Sequence, residues 1–416
     1  MVIDIDNKIA EPETYADPET FHELFGWLRR NEPIRWTRPE GHRPFWTVSR
    51  YRDIMEIEKR SDVFHCAART VLRTIEREDS VRRVTGSDQP MRSLMHMDEP
   101  DHRKYRALTQ AWFMPAKLKS ISDSLDQLAG LFVDRMAEAG DRCDFAEDIA
   151  ARYTLRALMT IIGVPEQDEA LMTDITQRFF SPADPSINKG RTIDIGSTLE
   201  GAFAYFTDLA ARRRQEPRND VATVLANAEI DGEPISDFDR NSYFFLLAIG
   251  GHDTTAVSLA GLMDALLSRP EQFARLRAEP QLLDTAIDEG IRWTSPAKHF
   301  MRTADADHEI GGTVIRRGEA VLLSYPSGNF DEEAFDEPHE FRIDRSPNRH
   351  LGFGFGVHHC LGNHLARLEM RALWRELLRR VETVERAGET QRLVSTFVSG
   401  ITSLPISYRM RLLQPA

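Results

Sequence analysis

The sequence predicts a mainly α protein: a single large helical domain spanning residues 1–416 with small peripheral β-sheets. Three observations predict it. Apolar residues recur at three- and four-residue spacing, with charges between them, in Leu125–Ala139, Val221–Ala228 and Leu361–Arg380. Strand-like stretches are short: Phe45–Val48, Glu309–Ile315 with its internal Gly-Gly, Ala320–Leu323 and Pro405–Arg409. No internal repeat, low-complexity tract or Gly/Ser linker divides the chain. Two regions, about 65–100 and 181–199, read as loops, and long loops in a compact enzyme often act as lids or binding loops.

Composition narrows the class. The chain has 416 residues, 41% hydrophobic and 29% charged, which is ordinary for a globular protein large enough to bury a cofactor. No run approaches the roughly 20 apolar residues of a membrane span. The first thirty residues carry early acids and prolines and lack a leader-like apolar core. A cytoplasmic protein is expected, without membrane attachment. Cys66, Cys143 and Cys360 are too few and too scattered for a disulfide framework. A net charge of −13 argues against nucleic-acid binding, which wants a basic surface.

The most informative segment is Phe353-Gly-Phe-Gly-Val-His-His-Cys-Leu-Gly362, followed at once by the amphipathic stretch Leu361–Arg380. A cysteine opening a helix meets the positive end of the helix dipole and free N–H groups, which favour a thiolate. Gly356 and Gly362 would let backbone approach a flat ligand without a Cβ in the way. Phe353 would shield the sulfur from water. His350, His358, His359 and His364 crowd the same loop, and Cys360 and His364 stand at i,i+4, a spacing that suggests zinc. Structural zinc wants more thiolates or paired ligand spacing, which this chain lacks. The ten-residue pattern before a helix points to haem-thiolate ligation instead.

In this loop the sequence resembles the cytochrome P450 family, and further motifs agree in the expected order across roughly residues 95–405. The resemblance implies the family's fold, with haem b held between a central oxygen-binding helix and the helix after the cysteine loop. Cys360 is then the metal ligand. Glu289-Gly-Ile-Arg292 matches the family's Glu-x-x-Arg, a buried pair joined by a later arginine, here Arg345. Gly250-Gly-His-Asp-Thr-Thr255 matches the central helix where it crosses the haem face, so Gly250 and Gly251 would lie against cofactor and Asp253 and Thr254 would be the acid–alcohol pair. For Asp253 and Thr254 taken alone, the ordinary reading is a solvated acid and a hydroxyl bonded to a carbonyl one turn back. His102 and Arg106 match the family's His-x-x-x-Arg, and with Arg302 and His358 they match propionate ligands. Phe353 and Gly354 complete the cofactor-binding set. One departure stands out: many bacterial members carry Asn-Arg-Asp where this chain reads Asn329-Phe-Asp331, which removes a local ion pair.

The resemblance further implies a monooxygenase that inserts one atom of dioxygen into a C–H bond, with the Thr254 hydroxyl assisting oxygen activation and Asp253 feeding protons through water. No Gly-x-Gly-x-x-Gly follows a strand, and no flavin or nicotinamide domain is expected. Electrons are then expected from an iron–sulfur ferredoxin and its flavoprotein reductase, meeting a monomer at a basic patch of Arg103, Lys104, Arg106, Arg349 and Arg367. The family's pocket segments map to Leu94, Met95, Ala248, Ile249, Ala297, Phe300, Phe397 and Val398, an apolar set that fits hydrophobic ligands. The segments Pro296–Ala304, Leu323–Asn329 and Pro347–Gly354 are similar to the terpineol-hydroxylating branch, so a monoterpenoid or aromatic hydrocarbon is the expected substrate. A steroid side chain or an alkane is the alternative. Two other classes compete with this activity: a peroxide-driven peroxygenase and a non-catalytic haem sensor. The intact acid–alcohol pair favours dioxygen chemistry over both.

Overall fold

A computed structural model describes residues 4–180 and 195–411. Its centre is the 31-residue helix Asp237–Leu267. Ser236 starts it by accepting the Asp239 N–H, and Arg269-Pro270 ends it, since proline cannot continue the ladder. Around it pack Phe145–Ala151, which is wound as a π-helix, then Arg152–Ile162, Ile195–Gln215 and Leu283–Thr294. The helix Asn363–Arg380 lies against Ser122–Ala139 and Leu283–Thr294, so the cysteine loop that precedes it is delivered towards the central helix.

The sheets are small and peripheral. The largest has five strands in the order Ile34–Thr37, Phe45–Val48, Ala320–Ser324, His299–Ala304 and Phe64–His65. Phe45–Val48 and Ala320–Ser324 run parallel, pairing Trp46 with Val321; their other neighbours are antiparallel. A second sheet joins Val381–Arg386, Pro405–Met410 and Arg142–Asp144. The Gly-Gly read inside 309–315 turns a hairpin between His308–Ile310 and Thr313–Ile315, with φ of +55° and +80° that side chains with a Cβ resist.

Two expectations are corrected. The presumed loop 65–100 contains the helix Ile75–Thr85, capped by Thr74 and closed by Gly86. Its periodicity is faint because it buries only Val81, so the cap signals outweigh the apolar pattern. Within 181–199, residues 195–199 begin a helix, and 181–194 lie outside the described residues. The central helix, moreover, is long and apolar enough by length and composition to cross a membrane. Most of that window is buried inside the protein, and a helix enclosed on all sides is apolar all round for that reason.

Candidate active site

A cavity of about 260 Å³ lies between the central helix and the cysteine loop. One wall is Phe353, Gly354, Cys360, Leu361, Gly362, Leu365 and Ala366; the opposite wall is Leu247, Gly250, Gly251, Thr254, Thr255 and Ser258. The second set follows helical phase, recurring every turn along one stripe. At Gly251 a Cβ would stand 2.8 Å from Leu158 Cδ1, so a side chain there would push the leucine tip aside.

The cysteine loop is held by its own backbone. The Cys360 N–H donates to the Phe353 carbonyl (2.9 Å) and the Gly362 N–H donates to the cysteine sulfur. Cys360 lies three residues before the helix begins at Asn363, so the Gly362 amide supplies the donor expected of a helix start. Burial is the largest influence on the thiol and raises its pKa, while the Gly362 N–H, Arg106 and Arg367 oppose it. A thiolate here needs a cation in the cavity. A Cβ at Gly362 would stand 4.0 Å from the sulfur, an ordinary contact. Gly356 serves a different purpose. Its φ is +68° and a Cβ would meet the Glu58 carbonyl oxygen at 2.2 Å, so it seats the loop on the helix Tyr51–Lys59.

At one end of the cavity the cationic and imidazole groups gather. The Arg106 guanidinium donates to the His359 carbonyl (2.8 Å), tying the helix Asp101–Gln110 to the loop. His102 and His358 face each other with ring centres 4.2 Å apart, and His102 Nε2 is buried with no hydrogen-bond partner. Arg302 reaches the cavity but is already paired: it donates to both Glu58 oxygens at 3.1 Å. The Tyr325 hydroxyl also donates to Glu58. Sequence reading gives Glu58, Tyr325 and Cys66 no role at the site, because none is a named position of a motif. Cys66 Sγ lies 3.2 Å from His358 Nε2, and burial pushes its thiol up to about 12, so it is a neutral partner. Cys360 and His364 form no metal-ligand group; among the described residues the one such cluster is Cys66, Asp98 and His358. There the Asp98 oxygens accept the Cys66 and Ala67 amides and close that loop.

Thr254 faces the cavity, and its hydroxyl donates to the Gly250 carbonyl one turn back (2.9 Å). Asp253 is turned off that stripe and does not line the cavity; it lies against His252. Burial raises the Asp253 pKa and His252 lowers it. Ala248 is likewise turned into the core, fully buried and off the lining. A helix shows one stripe to a cavity, and Leu246 and Leu247 take the place given to Ala248. Leu94, Met95, Ile249, Ala297, Phe300, Phe397 and Val398 all line it.

A model of the family described as Cytochrome P450 matches residues 206–410. Cytochrome P450-terp of Pseudomonas sp is 39% identical over 95% of this chain and 95% of its own length. The chain belongs to the cytochrome P450 family. Steroid C26-monooxygenase of Mycobacterium tuberculosis (strain ATCC 25618 / H37Rv) is 33% identical, covering 97% of both chains. Linalool 8-monooxygenase of Pseudomonas putida is 31% identical over 96% of this chain and 98% of its own. The crystal structure of CYP108D1 from Novosphingobium aromaticivorans superimposes with a TM-score of 0.92 at 41% identity, covering 98% of each chain. This P450 is a monooxygenase with a thiolate-ligated haem, and it needs electrons from another protein.

The residues present fit that haem. Its site joins a cysteine sulfur with an N–H donor, an orphaned buried His102 nitrogen and nearby guanidinium groups that suit carboxylates. Cys360 would hold the iron; His102, Arg106 and His358 would meet propionates, with Arg302 shared with Glu58.

Away from the cavity, Glu289 gathers the cysteine loop's support. It accepts from Arg292 Nε (2.7 Å) and Nη2 (2.8 Å), from Arg345 Nε (3.1 Å), and from Asn348 Nδ2 (3.1 Å). Phe330, standing where an arginine is familiar, packs against His22, Trp293 and His339, with the Arg292 guanidinium 5.0 Å from its ring centre. An aromatic cluster replaces the ion pair. The sequence also gave no notice of Glu369, fully buried on the cavity wall with neither carboxylate oxygen partnered. Burial raises its pKa well above the ordinary value, so it carries its proton.

Proposed function

We propose that this P450 hydroxylates a small to medium hydrophobic substrate, a monoterpenoid or aromatic hydrocarbon, using dioxygen and two electrons from a ferredoxin served by a flavoprotein reductase. The observation that carries the reading is the placement of Thr254 on the wall opposite Cys360, in a cavity lined mainly by apolar side chains. The haem, when bound, supplies oxygen activation and C–H oxidation, its thiolate ligand donating electron density that favours O–O cleavage.

The chain's own residues do the rest. Leu94, Met95, Leu247, Ile249, Ala297, Phe300, Phe397 and Val398 exclude water and hold an apolar substrate by area rather than by hydrogen bonds. Phe300 and Phe397 meet edge to face with ring centres 5.5 Å apart, a wall that suits compact cyclic or branched hydrocarbons. The relative that acts on linalool supports a terpenoid, whereas the steroid relative keeps a larger substrate as the second reading. Thr254 presents a hydroxyl oxygen to the cavity while its hydrogen goes to Gly250, and rotation of that hydroxyl would pass a proton inwards. A peroxide-driven enzyme or a haem sensor has no use for that arrangement.

The docking patch for an acidic ferredoxin is narrower than the sequence implied. Lys104 is paired with Asp231 and Arg367 with Asp288, and Arg106 is turned into the loop. Arg103, 3.7 Å from Glu99, and Arg349 remain exposed. We place the protein in the cytoplasm, as a monomer.

Thr254→Ala tests the reading. Substrate binding and haem loading should persist while product per reductant falls and hydrogen peroxide rises. An unchanged yield of product per reductant would defeat it. A screen of terpenes, aromatics and steroids for spin-state shifts identifies the substrate class.

A further inference from the structure

We propose that a second cavity, walled by Lys298, Thr294 and a group of aromatic rings, is a binding site for a small aromatic monocarboxylate. The cavity measures about 140 Å³ and shares no lining residue with the catalytic one, so the proposal does not depend on what the enzyme oxidises. It lies where Tyr15 and Phe21, from the first helices of the chain, meet Gly261 and Asp264 near the end of the central helix and residues 393–401. Rings supply much of its wall. Tyr15 and Phe21 stand 5.5 Å apart by ring centre, and Trp293 and Phe330 5.3 Å. Phe330 is the position at which the sequence departs from many bacterial members, and here it helps make the cavity apolar.

Against those rings sits a cation without a counter-charge. Lys298 is 4% exposed. Its Nζ donates to the Ser395 carbonyl (2.6 Å) and at the limit of bonding distance to the Tyr15 carbonyl (3.4 Å). An ammonium has three hydrogens, so one has no protein acceptor among the described residues. The charge that acts on Lys298 is a second cation, Arg392. Asp264, the acid on the wall, already accepts from Arg386, Arg392 and Thr390. Burying a cation beside another is unfavourable unless an anion joins them. Thr294 Oγ1 is also buried and unpartnered, and it lines the same cavity. An ammonium hydrogen and a hydroxyl hydrogen match the two oxygens of one carboxylate, and the rings accept an aromatic body. A phosphate would leave oxygens bare against those rings.

The test uses benzoate on the haem-loaded protein in its diamagnetic reduced carbon-monoxide form. Carbon NMR of labelled lysine follows Lys298, assigned by the signal lost in Lys298→Met. Benzoate should shift that signal and hold Lys298 protonated to higher pH, and Lys298→Met should weaken calorimetric binding by roughly tenfold or more, the usual worth of a hydrogen bond to a charged group. The other titratable groups facing the cavity are Tyr15, His22, Asp264 and Arg392. Burial keeps the Tyr15 phenol protonated and pushes His22 down to about 4, while Asp264 and Arg392 are paired with each other. Lys298 is therefore the group that changes charge near neutrality, and benzoate affinity should fall at least tenfold between pH 6 and pH 9. Thr294→Val has the same shape and no hydrogen bond to lose, so it serves if Lys298→Met fails to fold; it should weaken benzoate several-fold. Benzoate that leaves the Lys298 signal unmoved, or unchanged affinity in Thr294→Val, would overturn the proposal. Equal binding of benzyl alcohol would remove the role of the charge, and equal binding of inorganic phosphate would remove that of the rings; either result refutes the assigned ligand class.

Discussion

Replacing Glu289 by Gln should cost about 3 kcal/mol of stability, together with most of the haem. Glu289 is fully buried, as is Arg292, and Arg345 is nearly so. The carboxylate answers two guanidinium groups, and it also accepts the Arg342 amide (3.0 Å) and Asn348. Glutamine keeps the shape, removes the charge and turns an N–H₂ towards a donor. Breaking a buried pair by removing one partner typically costs about 3–5 kcal/mol, because the remaining charge is left uncompensated. The lower end applies here, since both guanidinium groups also donate to carbonyls, Arg292 to Asn329 and Pro338, Arg345 to Glu337 and Glu340. About 3 kcal/mol is roughly two orders of magnitude in the folded-to-unfolded ratio. Asn348 leads into the cysteine loop, so loosening Glu289 loosens the segment that carries Cys360. Urea unfolding and haem content per protein are the assays. The built-in comparison is Glu216→Gln, which breaks the ion pair to Arg218 where both side chains are more than half exposed, at 73% and 54%, and should cost under about 1 kcal/mol. Equal losses in the two variants, or a Glu289→Gln protein as stable as its parent, would refute the reasoning.

Three further outcomes follow from buried groups. Among the described residues Lys298 has no carboxylate partner, and it donates to the Ser395 carbonyl; burial, helped by the Arg392 charge, pushes its pKa down to about 7. Between that value and the ordinary lysine pKa the unfolded chain binds more protons, so stability rises with pH there. The stability of Lys298→Met relative to the parent should therefore be most favourable below about pH 7 and decline towards pH 10, and a flat difference in Tm across that range would contradict the assignment. Glu369→Gln replaces a protonated acid with an amide of the same shape and should change stability by less than about 1 kcal/mol; a gain of several kcal/mol at neutral pH would mean that the unpartnered carboxylate is ionised. Gly356→Ala should shed haem on purification, because its Cβ meets backbone that cannot swing aside, and full haem content would count against the seating role given to this glycine.

The chain itself determined the fold class and pointed to Cys360 as the residue that would hold the iron. A ten-residue loop ahead of an amphipathic helix and a Glu-x-x-Arg each depend on residues close in sequence, so local spacing carries them. Local signals were weaker where little is buried, which is why the helix Ile75–Thr85 read as loop. Tertiary packing decided which side of the central helix faces the cavity: it placed Thr254 on the wall and turned Asp253 and Ala248 away. It also brought Glu58 to Arg302 across 244 residues, Ala151 to His252 across 101, and left Glu369 alone against the cavity. No spacing rule reaches that far. Contacts between distant segments are set by how whole helices pack, and the protonation of buried acids follows from the enclosure that packing creates.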